Sequence, residues 1–188
     1  MPASIETQTK IGLISKALVL IGEKPLNSLS DDRYGATVGS NLFEIIYENE
    51  LQSNRWRFAC TKRALSQLVA APLNEWQYAY QLPTDMLLPL GVYPRATYEI
   101  YASHLYTDQS SVELDYMFKP DVSSVPAYFG QLMVYALARD MVKPITESEA
   151  AVQSFTAKYN SQRARAMFAD AQGRPNSAII DSPFTDGR

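Results

Sequence analysis

A chain of 188 residues with 46% hydrophobic content suits one domain, or one core with a small appended lobe. Its 17 basic and 20 acidic residues leave a net charge of -3 without any basic run, which argues against tight DNA binding through phosphates. A single cysteine, Cys60, excludes an intrachain disulfide and any CxxC motif, and a single histidine, His104, leaves no His-rich metal site.

The longest apolar stretch, Ala17 to Ile21, is too short to span a bilayer, and no signal peptide is visible. A soluble chain is therefore expected, acting inside the cell or within an assembled particle. Helical spacing of Ile11, Ile14, Leu18 and Ile21, with Ala17, predicts a first helix over 5–21. Leu13, Val19 and Leu20 carry apolar surface round it, so burial on more than one side is expected. Gly22 and Pro25 stop it.

Asp31 and Asp32 are candidate N-caps for a second helix over 33–53, with Val38, Leu42, Ile45 and Ile46 as its core stripe. Glu44, Glu48 and Glu50 are assigned to its solvated face. After Arg55-Trp56-Arg57-Phe58-Ala59, a third helix is expected from Thr61, burying Leu65, Leu68 and Val69 and ending at Pro72. The period then changes, and short runs between turn residues predict strands over 76–82, 87–93, 98–101 and 113–118, with a further piece at 105–107. Pro83, Pro89 and Pro94 confine these to short or edge strands.

Helix returns after Ser124 with Phe129, Leu132, Met133, Ala136 and Leu137 as its stripe, and Pro144 is expected to stop it. Thr146 and Glu149 form a capping box for a last helix that carries Val152, Phe155, Tyr159, Ala164, Met167, Phe168 and Ala171. Gly173 and Pro175 end that helix. The expected fold class is α+β, mainly helical. A helical bundle (1–75 and 119–172) carries an inserted small antiparallel β lobe (76–118) and an extended C-terminal tail (173–188).

Motifs of catalysis are missing. The eight glycines form neither GxGxxG nor GxxxxGK[ST], and no GxSxG elbow occurs. Cys60 and His104 fall in different lobes of this reading, so the one Cys/His combination does not make a nucleophile and base. Cys60 reads as a small apolar residue at a helix start, and His104 as a strand-end residue. Asp31/Asp32 are explained as a cap and Glu147/Glu149 as the acidic first turn of the last helix, rather than as a hydrolytic pair. No cofactor, metal or catalytic residue is assigned. Arg55-Trp56-Arg57-Phe58 could clamp nucleic acid by stacking. The preferred reading turns Trp56 and Phe58 into the core, as a structural junction of helices and β lobe.

The order of motifs is more specific than any one of them. Ile21-Gly22-Glu23-Lys24-Pro25-Leu26-Asn27-Ser28-Leu29 follows the first helix, and Trp56-Arg57-Phe58-Ala59 follows the second with Arg63 and Leu65. Tyr78-Ala79-Tyr80-Gln81-Leu82-Pro83-Thr84-Asp85 comes next, then Leu114-Asp115-Tyr116 and Leu137-Ala138-Arg139. Over residues 10–172 this succession resembles the tail tubular protein A family, the head-to-tail adaptors of podoviruses.

The resemblance implies a structural virion protein that forms a ring, usually of twelve copies, between the portal protein and the tail nozzle protein. Genomic DNA would pass through its channel without specific binding, and no membrane partner is implied. The ring would assemble in the host cytoplasm and sit in the neck of the virion. A peptidoglycan-hydrolase activity proposed for one adaptor relative makes a tail-associated hydrolase the enzyme alternative. A DNA-binding packaging accessory is the third reading. In a related adaptor group the C-terminal tail docks on the portal, which makes Ile179, Ile180 and Phe184 candidate contacts to portal or neighbouring subunit. Deleting residues 174–188 is expected to leave the melting point nearly unchanged and to weaken portal attachment, measured by co-sedimentation. Undiminished binding by the truncated chain would make the segment a plain terminus.

Overall fold

The computed structural model describes residues 8–70, 72 and 75–173. Ile179, Ile180, Phe184 and the rest of the C-terminal tail lie outside the described residues. Four helices, α1 (Lys10–Leu20), α2 (Tyr34–Gln52), α3 (Ala127–Thr146) and α4 (Glu149–Gln172), accompany seven strands in a mixed α+β fold. The strands are β1 (Cys60–Ala64), β2 (Ser66–Gln67), β3 (Tyr78–Gln81), β4 (Met86–Tyr93), β5 (Tyr98–Tyr101), β6 (His104–Thr107) and β7 (Glu113–Phe118). They form two antiparallel sheets, β1-β7-β4 and β2-β3-β6-β5.

Helix α3 is the centre of the helical part: α1, α2 and α4 all pack on it. Its expected stripe, Phe129, Leu132, Met133, Ala136 and Leu137, is buried, and Val134, Ala138, Met141 and Val142 are buried too. A helix apolar over so much of its circumference needs neighbours on several sides. Small residues on α2 let two of those neighbours come close. A Cβ on Gly39 would stand 2.5 Å from Ile14 Cγ2 and 3.1 Å from Met141 Cε, and one on Gly35 would stand 2.8 Å from Leu18 Cδ2.

This close packing selects a different stripe on α2 from the expected one. Ala36, Gly39, Phe43, Ile46, Tyr47, Glu50 and Leu51 face inward, Val38 and Leu42 are half-buried, and Ile45 is exposed. Neither Asp31 nor Asp32 caps the helix. Its N-cap is Arg33, whose side chain makes no capping bond, and Asp31 instead accepts from the Arg33 guanidinium at 2.9 Å. Arg33 also donates to the Lys24 and Pro25 carbonyls at 3.1 and 2.7 Å, fastening the α1–α2 link.

The third helix expected from Thr61 is absent, and the β region starts at Cys60 rather than at 76. Cys60–Ala64 pairs along β7, Leu65 N–H donates to Val112 O at 3.0 Å, and Leu68 N–H donates to Ala79 O at 2.8 Å. A segment whose local period suits a helix is held extended by partners on both sheets. Leu65 packs against the core between the sheets, whereas Val69 is fully exposed.

Two cores result. The larger gathers the four helices with Trp56, Ala59 and Met117 of β7. The smaller lies between the sheets and contains Tyr80, Leu82, Leu105, Val112, Leu114 and Tyr116. Strand β7 therefore serves both, sending Leu114 and Tyr116 to one side and Met117 to the other, as strand alternation requires.

Pro144 does not stop α3, which runs on to Thr146. Thr146 Oγ1 donates to Val142 O at 2.7 Å, and Glu147, with φ at 54°, ends the helix. The expected capping box is not formed either. Ser148 is the N-cap of α4 and its hydroxyl accepts from Ala151 N–H at 3.3 Å. Glu147 thus belongs to the turn, and Glu149 pairs with Lys143.

Trp56 is fully buried between the end of α2 and α3. Its ring meets Phe129 edge-on at 5.2 Å, and its Nε1 donates to Glu50 O at 2.7 Å. Phe58 is only half-buried and packs on Phe129 at 4.9 Å and Tyr128 at 6.2 Å. Trp56→Ala should cost about 3–5 kcal/mol by the transfer and cavity terms together, read from urea unfolding. An unchanged midpoint would show that this ring does not hold the fold.

Candidate assembly surfaces

Side chains offered for chemistry in the sequence are mostly engaged in structure. Cys60 is the first residue of β1, not a helix start; its thiol donates to Trp56 O at 3.1 Å and burial pushes its pKa up. His104 begins β6 and stands against Tyr106, so the two residues belong to different sheets. Lys119 joins Glu44 at 3.1 Å to Glu48 at 2.7 Å, and Lys10 reaches Glu44 at 2.9 Å. The bond from Lys10 is the chief cause holding the Glu44 carboxyl below its ordinary range. Among the described residues no group of three or more His, Cys, Asp or Glu is placed to hold a metal.

Glu50, assigned to the solvated face, is buried. Its Oε1 accepts from Tyr159 Oη at 2.8 Å, joining α2 to α4. Arg139 lies over the Tyr159 ring at 4.2 Å and holds Asp140 through two hydrogen bonds. Glu50 Oε2 and Arg163 Nε are buried without a hydrogen-bond partner. Desolvation is the dominant influence on Glu50 and raises its pKa, against the opposing pull of Tyr159 and the arginines. Asp170 is the second buried acid, accepting from Tyr128 Oη at 2.7 Å and from Arg57 N–H at 3.3 Å. It fastens the end of α4 to the aromatic junction.

What remains outward is apolar in several places. Val19 and Leu20 of α1, expected to be buried on a further side of that helix, are exposed, beside a groove of about 450 Å³ completed by Pro25 and by Gln131 and Val134 of α3. On α4, Met167 and Phe168, expected in the core stripe, are exposed, because the buried line of that helix is Phe155, Tyr159, Ala166 and Asp170. Sheet β2-β3-β6-β5 turns an aromatic face outward. There Tyr101 stands 5.8 Å from Tyr106, and Trp76 Nε1 and Tyr101 Oη donate to Glu99 at 3.3 and 2.7 Å. The sequence held a signal for the first face, the surplus of apolar residues round α1, but none that separated Phe168 from the core.

No helix among the described residues is long and apolar enough to cross a membrane. A scan against protein-family models gives no match, and a search of the curated proteins finds none similar to the chain.

The buried Glu50 gives a pH signature. A folded-state pKa raised above the unfolded one contributes stability fully present below the unfolded value and lost as pH rises through the folded value. Glu50→Gln, which keeps an acceptor for Tyr159 without the charge, is therefore expected to be more stable than the wild type at neutral pH. The gap should shrink as pH falls. Urea midpoints of both proteins from about pH 4 to about pH 8 check this; a pH-independent difference would contradict it.

Proposed function

We propose that the chain is a structural subunit of a short-tailed phage, a head-to-tail adaptor. In this reading a helical bundle with an inserted β lobe and a C-terminal arm assembles head to tail into a ring between portal and tail nozzle, and genomic DNA passes through its channel. The observation that carries the reading is the pair of exposed apolar faces, Val19 and Leu20 on α1 and Met167 and Phe168 on α4. They lie on two helices that α3 separates. A ring subunit needs two different complementary faces, whereas a two-fold dimer needs one face that matches itself. Covering the exposed part of each of these side chains contributes roughly half of the about 1.5–3 kcal/mol of full burial.

The motif order from Ile11 to Arg139 supports the same reading, as does the net charge of -3. Acidic copies repel a DNA strand rather than hold it. The arm carrying Ile179, Ile180 and Phe184 supplies the portal contact in this scheme, and the assembled ring belongs to the neck of the virion.

Mixing the protein with its portal, followed by negative-stain microscopy and sedimentation, tests the proposal. Rings capping the portal are expected. Val19→Glu and Phe168→Glu each place a charge in a subunit junction and should abolish rings while leaving the melting point within about 1 °C, since exposed positions cost little stability. A chain that stays monomeric on its portal, or rings that tolerate both charges, would overturn the reading.

A further inference from the structure

The face of sheet β1-β7-β4 that turns toward the end of α2 carries a cleft of about 490 Å³ with a mixed but net cationic lining. Its floor follows from the strand register. Lys62 of β1 and Gly91 of β4 both lie opposite Asp115 of β7, and Tyr93 lies opposite Glu113 in the next row along. The β4–β7 register shifts between Pro89 and Gly91, and a Cβ on Gly91 would meet nothing within 4 Å. The floor is therefore open. Arg55 enters from the end of α2 and pairs with Asp115 at 3.2 Å, and Arg95 closes the rim. Lys62 and Arg95 make no ion pair among the described residues, and both are exposed. Arg55 and Asp115 offset each other, which leaves Lys62 and Arg95 facing Glu113 in a chain whose overall charge is negative.

We infer that this cleft receives an acidic peptide segment of a partner protein. Guanidinium groups grip carboxylates with paired hydrogen bonds, and Arg95, with no carboxylate partner of its own, lines the cleft with Lys62 to do so. Glu113 and Asp115 decide between peptide and nucleic acid. They repel a continuous line of phosphates but accept hydrogen bonds from a peptide's backbone N–H groups, so the mixed lining matches a ligand that brings both signs of dipole. A cleft of this size takes a few side chains and is far too small for a duplex. Tyr93, exposed at the rim, adds a flat apolar wall with a hydroxyl tip. The inference needs no ring and stands apart from the adaptor reading.

The test uses the full-length chain and a fluorescein-labelled peptide of alternating Glu and Gly, read by anisotropy at low and high salt. Binding that weakens with salt is expected. Arg95→Glu should weaken it at least about tenfold, and so should Gly91→Phe, which fills the open floor; Arg165→Glu on α4 should leave it unchanged. Melting curves confirm that the variants fold, and Arg95→Glu, an exposed position, decides alone if Gly91→Phe does not. No binding at millimolar peptide, equal binding by all variants, or a DNA duplex that binds as well as the peptide with the same losses would overturn the inference.

Discussion

The indole of Trp56 sits where the last carbonyls of α2 run out and the chain turns toward the sheets. A helix end leaves acceptors that must find donors, and Trp56 Nε1 supplies one to Glu50 O while Ser53 Oγ supplies another to the same oxygen at 2.9 Å. The rest of the ring is apolar and packs on Phe129 near the start of α3. One side chain thus completes α2, anchors α3 and fixes the direction in which β1 leaves. The neighbouring Arg57 N–H reaches Asp170 near the end of α4, so the fourth helix is fastened at the same place.

Polar burial in this protein follows from that convergence. Two of these contacts meet at Glu50, whose carbonyl accepts from Trp56 and whose carboxyl accepts from Tyr159 of α4. Such groups are costly when half-satisfied, and Glu50 Oε2 is left without a protein partner. Their arrangement ties α2, α3 and α4 to one relative placement more narrowly than apolar packing would. Apolar side chains left outside, Val19, Leu20 and Phe168, are then free of any role in that placement.

Much of this was legible where local pattern and tertiary packing agree. Strand Tyr98–Tyr101 has one apolar face to hide, whereas Glu113–Phe118 and α3 are apolar on more than one side, and in all three the pattern of residues and the packing agree. Residues 61–69 misled because Leu65, Leu68 and Val69 suit a helix, while Val112 and Ala79 offer Leu65 and Leu68 backbone partners and β7 pairs with Thr61 to Ala64. Two rival stripes exist on α2, and what chose between them was the room made by Gly35 and Gly39 against Ile14, Leu18 and Met141. The burial of Glu50 depends on Tyr159, 109 residues away, which no local window contains. The cleft floor at Gly91 depends on a register shift, which is a property of two strands together.

Cys60, which opens the β region, lies opposite Met117, almost its last residue, across the β1–β7 ladder. To the helices, what lies between these two positions, apart from Leu87 and Leu90 of β4, which pack on the larger core, is a loop already closed at its neck. Lengthening or shortening the strands and turns beyond that neck leaves the distance between α2 and α3 untouched, and the entropy of a longer loop rises only slowly with its length. The helical part and the β part can therefore diverge at different rates within one lineage. The outlying hairpins are free to be rebuilt for a new partner while the helices keep the contacts they already have.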